Sequence, residues 1–121
     1  MGFRELIKKV QVYSGFSDAE SKDALEMMVE SLAVHLDDGE RKDFASQLPQ
    51  ELQDIALAVY PTPENSRQDI LDQFMEVERI DEGRAKKQIY AAWKALQEAV
   101  SEGEMDHIRA QLPNSTVAFL H

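Results

Sequence analysis

Residues Gly39 to Pro49 read GERKDFASQLP, and Gly103 to Pro113, 64 positions further on, read GEMDHIRAQLP. Five of the eleven aligned positions are identical (Gly39/Gly103, Glu40/Glu104, Gln47/Gln111, Leu48/Leu112 and Pro49/Pro113). Ordinary composition gives about one or fewer by chance. The stretch therefore reads as a structural motif present twice, and the chain as a duplication. Extending the 64-residue offset pairs residues 3–57 with 67–121 without a gap. Only seven of those 55 pairs are identical, yet apolar character persists at almost every candidate core position. Drifted copies of one fold leave such a pattern.

Working outward, the apolar spacing is helical throughout. Phe3, Leu6, Ile7, Val10 and Tyr13 predict an amphipathic helix over 3–14, ended by Gly15. Ser17-Asp18-Ala19-Glu20 is a capping box, in which serine and glutamate each satisfy an orphan amide at a helix start. The helix it opens runs to about Leu36, with Leu25, Met28, Val29, Leu32 and Leu36 on one stripe. Asp37 and Glu40, like Ser101 and Glu104, have N-cap to N3 spacing, which assigns part of the Gly-Glu signature to capping. Gly39 and Gly103 are expected to let the backbone turn sharply between helices. A third helix over about 38–47 carries Phe44 and Leu48 inward. Pro49 suits the first turn of a fourth, about 50–59. Residues 60–66 form a stiff, proline-containing linker, with Ser66-Arg67-Gln68-Asp69 as a fresh cap. Ile70, Leu71, Phe74, Val77, Ile89, Ala92, Trp93, Leu96, Val100, Ile108, Leu112, Phe119 and Leu120 then repeat the core plan. The last helix, where Asn114-Ser115-Thr116 replaces Gln50-Glu51-Leu52, is expected to be short or frayed. The fold expected is all-α: a single domain over 1–121, a helical bundle of about eight helices built from two tandem four-helix repeats, 3–59 and 67–121.

Composition narrows the chemistry. With no cysteine there is no disulfide framework, thiolate nucleophile or cysteine-held metal cluster. The net charge of −10 is shared between the halves, with 6 basic against 12 acidic residues in 1–60 and 7 against 11 in 61–121. Direct nucleic-acid binding, which needs a basic patch to neutralise phosphates, is not expected. No apolar run is long enough for a membrane span, and the beginning MGFRELIKKV lacks a signal-peptide core. A cytoplasmic location with no membrane partner is the expectation.

Few residues carry chemistry. The histidines are His35, His107 and His121. Glu104-x-x-His107 has the spacing used by di-iron bundles, but those need a second such motif and further inward glutamates, and the matching first-copy residues are Glu40 and Asp43. His35-x-x-Asp38 pairs a histidine with an acid at a helix boundary, where the dipole already favours negative charge. Neither spacing predicts a metal site, and no cofactor is expected. No nucleophile elbow, phosphate loop or triad is present, and the paired acids Asp37/Asp38 and Asp81/Glu82 fall at helix starts. Trp93 aligns with Val29 and reads as core.

The two registered motifs, the gapless helical tandem and the acidic composition together resemble the prokaryotic family labelled domain of unknown function 2267, across essentially the whole chain. The resemblance implies an all-helical duplicated fold in a cytosolic bacterial or archaeal protein and brings no activity, ligand or catalytic residue. The function expected is a non-catalytic cytosolic helical interaction or scaffold module, not an enzyme. The alternatives are an acidic anti-regulator that mimics nucleic acid, or a small-ligand carrier with a cavity between the halves. Met27 and Val34 fall on the face of the second helix opposite its core stripe, among Glu20, Asp23, Glu30 and Asp38. They mark either a partner or self-association surface rimmed by acids, or a helix buried on both sides.

Overall fold

Apolar residues at helical spacing form helices that must bury their stripes against one another. A computed structural model describes residues 1–120 and shows an all-α bundle. Its helices are α1 (Phe3–Ser14), α2 (Asp18–Ala33), α3 (Asp38–Ser46), α4 (Gln50–Ala58), α5 (Ile70–Glu78), α6 (Glu82–Ala99), α7 (Glu102–Gln111) and α8 (Asn114–Phe119). No strand occurs among the described residues. The two long helices, α2 and α6, pack on each other, and both α1 and α5 pack against the two of them. α3 packs on α4 and on α7, and α4 leans on α2. Leu6, Ile7, Leu25, Met28, Leu32, Phe44, Leu52, Ile70, Phe74, Ile89, Leu96 and Ile108 are the largest fully buried side chains.

Starts and stops follow local chemistry. Gly15 ends α1 with φ 76, in the left-handed region that glycine enters freely, and its amide returns to the Gln11 carbonyl at 2.7 Å. Arg79, at the matching position after α5, adopts φ 55 without that freedom. Ser17, Asp37, Asp69, Asp81 and Ser101 each cap a helix by accepting a bond from a first-turn amide.

Several expectations need correction. Met27 and Val34 do not face water: each is 8 % exposed, and together with Gln73 and Val77 of α5 they line one small hollow. α2 is buried on both sides because it lies between α5 and the rest of the bundle, so the proposed partner surface is not available there. Val77, expected in the core, is instead 63 % exposed. Gly39 and Gly103 make no sharp turn, since both lie inside the first turns of α3 and α7 and neither has a positive φ. α2 ends at Ala33, three residues before Leu36. Pro49 and Pro113 are N-caps with extended backbone, not first-turn residues. α5 is capped by Asp69, whose Oδ1 accepts from the Leu71 amide at 2.8 Å, and the Ser66 hydroxyl instead donates to the Thr62 carbonyl at 2.7 Å. Thr62 and Asn65 also exchange two bonds, so the linker folds into a hydrogen-bonded turn.

Candidate functional site

The two copies of the repeated motif meet, because α3 and α7 pack together. Each completes the other's cap. Asp37 accepts from the Glu40 amide at 2.8 Å, while its own amide donates to Gln111 Oε1 at 2.8 Å and Gln111 Nε2 donates to Asp37 Oδ2 at 2.8 Å. Ser101 accepts from the Glu104 amide at 3.3 Å, and its amide donates to Gln47 Oε1 at 2.7 Å. In a self-contained capping box the N3 glutamate satisfies the N-cap amide, as Glu20 does for Ser17 at 3.0 Å. At α3 and α7 a glutamine from the opposite motif does this. The capping reading of the Gly-Glu signature therefore holds for the backbone and fails for the glutamate side chains, which are left to turn into the seam.

There they face each other. Glu40 is 9 % and Glu104 7 % exposed, and the Oε1 atom of each is buried with no hydrogen-bond partner. His107 Nδ1 lies 3.6 Å from Glu40 Oε1 and 3.9 Å from Glu104 Oε2, on a largely exposed ring. One candidate ligand atom from each of the three residues falls within 4.8 Å of the others. Burial pushes the Glu104 carboxyl up to about 7, the facing Glu40 and the charge of Asp43 add to the rise, and His107 opposes it. Two carboxyls can hydrogen-bond each other only when one carries a proton, so both Oε1 atoms lack a partner whenever both are ionised. The seam thus offers buried acceptor oxygens to a proton or to a cation, with an imidazole at its mouth.

Sequence spacing gave no reason to join Glu40 to the Glu104-x-x-His107 pair, because only the packing of α3 on α7 does so. A signal did exist. At the starts of α2 and α6, which are also offset-related and capped by a side chain, the N3 residue has diverged, Glu20 against Arg84, whereas Glu40/Glu104 and Gln47/Gln111 are unchanged. Capping alone does not require that identity.

The remaining motif residues are structural, with Leu48 and Leu112 in the core at 4 % and 6 % exposure. His35 is buried, its Nδ1 lies 3.0 Å from the Ser66 carbonyl and its Nε2 has no partner. Asp38 pairs instead with Arg41 at 2.8 Å, so the His35-x-x-Asp38 pair does not form. Trp93 is buried beneath the Arg109 guanidinium, 5.4 Å from the ring centroid. His121 lies outside the described residues.

A second feature lies on the α1–α6 seam. These two helices hold seven of the chain's thirteen lysines and arginines against three carboxylates, Glu5, Glu82 and Glu98. Lys9 pairs with Glu98 at 3.4 Å and Lys86 with Glu82 at 3.7 Å, while Lys8, Lys87 and Lys94 reach no carboxylate among the described residues. Lys94 sits 4.4 Å from the Tyr13 ring centroid, and Lys87 5.3 Å from that of Phe16. Val12 is 78 % exposed, and Tyr90 is 45 % exposed although it stacks on Phe119 at 5.0 Å. Two open hollows of about 290 and 270 Å³, which share Tyr13, run along this seam.

A hollow of about 450 Å³ opens between α6, α7 and α8, and the one between α2 and residues 65–77 is only about 110 Å³. The latter is well below the roughly 300–1,000 Å³ of small-molecule pockets. No helix among the described residues is long and apolar enough to cross a membrane. Among curated proteins none matches the chain. A family model described as "Uncharacterized conserved protein (DUF2267)" matches residues 3–119, nearly the whole length, and the chain belongs to that family.

Proposed function

We propose that the protein is a non-catalytic cytosolic interaction module, built from two tandem four-helix halves, whose docking face is the α1–α6 seam and whose partner presents an acidic amphipathic segment. The observation that carries this reading is the basic, aromatic character of that face in a chain of net charge −10. Lys8, Lys87 and Lys94 supply positive charge outside the ion pairs of this face, and Val12 and Tyr90 supply apolar anchors between them. Aromatic and cationic side chains around a shallow groove suit a helix with carboxylates beside a short apolar stripe. The duplication is supported by the contacts between residues at the 64-residue offset, Glu20 with Arg84 and Glu40 near Glu104, and by the reciprocal glutamine caps.

A synthetic helical peptide with leucines at i, i+3, i+4 and i+7 and glutamates elsewhere is the probe, titrated into the labelled protein and followed by amide chemical shifts. The expected result is saturable shifts confined to α1 and α6, weakened at least tenfold by Lys87→Glu with Lys94→Glu and by raised salt. No saturation, shifts centred elsewhere, or stronger binding by a single-stranded oligonucleotide of equal charge would overturn the proposal.

A further inference from the structure

The α3–α7 seam carries a second inference, independent of the docking face. Buried polar atoms in folded proteins are almost always paired, so two buried carboxylate oxygens without a donor, one on each side of a helix seam, require an explanation. Both belong to glutamates that are free of the capping role their position suggests, and the imidazole of His107 closes the open side. Zinc bonds to oxygen and nitrogen of roughly 2.0–2.2 Å set ligand atoms about 3.3–3.6 Å apart around a tetrahedral ion. The separations of 3.6 and 3.9 Å from His107 Nδ1 are close to that, and the 4.8 Å limit for the whole set leaves an adjustment of about 1 Å for flexible side chains.

We propose that Glu40, Glu104 and His107 form a binding site for a first-row divalent transition-metal ion, zinc in the first instance, held by one oxygen of each glutamate and Nδ1 of His107. A mixed carboxylate and imidazole donor set favours such an ion over magnesium or calcium, which take oxygen ligands in larger number. Three protein ligands leave a coordination position for water. Asp43, at the first-copy position matching His107, adds negative charge near Glu104 that complements a cation. A bound ion ties α3 to α7, and through them residues 64 apart in the chain.

The test uses the 121-residue protein, stripped with a chelator, dialysed and titrated with zinc chloride at pH 7.5, read by calorimetry and by thermal unfolding. The expected result is one ion per chain and a raised unfolding midpoint, with millimolar magnesium or calcium failing to reproduce either. Glu104→Gln and His107→Ala should each lower zinc affinity at least tenfold, and Glu102→Gln, an exposed acid on the same helix, should leave it unchanged. His107 is exposed, so His107→Ala keeps the fold, and circular dichroism checks each variant. Absence of saturation near one equivalent, zinc affinity left unchanged by either His107→Ala or Glu104→Gln, or equal stabilisation by magnesium would overturn the site. So would a Glu104→Gln variant that is stabilised while zinc leaves the unsubstituted protein unaffected, since that identifies a pair held by a proton alone.

Discussion

Arg79 ends α5 at φ 55, the conformation Gly15 adopts at φ 76 at the end of α1, and a side chain there costs about 1 kcal/mol. Arg79→Gly should recover up to about 1 kcal/mol in denaturant unfolding, and a loss would show that the arginine side chain contributes more than its backbone costs. The reverse holds at Gly39 and Gly103. A methyl group on Gly39 would meet only Asp37 Oδ1, at 3.6 Å, and on Gly103 nothing within 4 Å, so alanine at either should stabilise by about 0.4–1 kcal/mol. Glu104 adds a pH dependence. Its folded-state carboxyl is raised to about 7 from the usual 4.5, so between those values the folded protein holds a proton that the unfolded chain has released. Its contribution is therefore complete below about pH 4.5 and is lost as pH rises through 7, by at most about 1.4 kcal/mol per pH unit. Unfolding of the chelated protein across that window should show this decline, and Glu104→Gln should remove it. Asp37 runs the other way: bonds from the Glu40 amide and Gln111 hold it low, so its contribution is lost in acid.

At the scale of elements, α3 and α7 depend on each other for their starts. Gln47→Ala leaves the Ser101 amide without its acceptor and Gln111→Ala does the same to Asp37, each costing roughly 0.5–1.5 kcal/mol. Leu48→Ala or Leu112→Ala, in the core beneath, should cost about 2–5 kcal/mol, and equilibrium unfolding of all four checks the order. Helix existence and most boundaries are legible in the sequence, because caps and apolar spacing are local. The misses are where distant groups intervene. α2 stops at Ala33 because the His35 and Leu36 amides tighten onto Leu32 and Ala33, while the Arg41 guanidinium donates to the Ala33 and Leu36 carbonyls at 3.3 and 2.8 Å. Ser66 fails as a cap because its hydroxyl is taken by Thr62. Glu40 and Glu104 looked like capping residues because nothing local says that a glutamine more than 50 positions away does that work.

In the whole molecule, α2 and α6 form a centre on which α1 and α5 both rest, and this makes both faces of α2 interior. Met27→Glu with Val34→Glu therefore places two carboxylates in a packed seam and should abolish cooperative unfolding, whereas a folded variant seen by circular dichroism would contradict the burial. The same arrangement brings α3 onto α7 and turns two copies of an eleven-residue motif into one buried glutamate pair, an outcome visible only once the chain is folded. The chemistry of the α3–α7 seam follows from that meeting. Carbon-detected NMR titration of the side-chain carboxyls in metal-free protein tests it most directly: Glu104 should titrate near 7 and move down when Glu40 is replaced by glutamine. A Glu104 that titrates near 4.5 and ignores Glu40→Gln would show that the two motifs do not share one buried site.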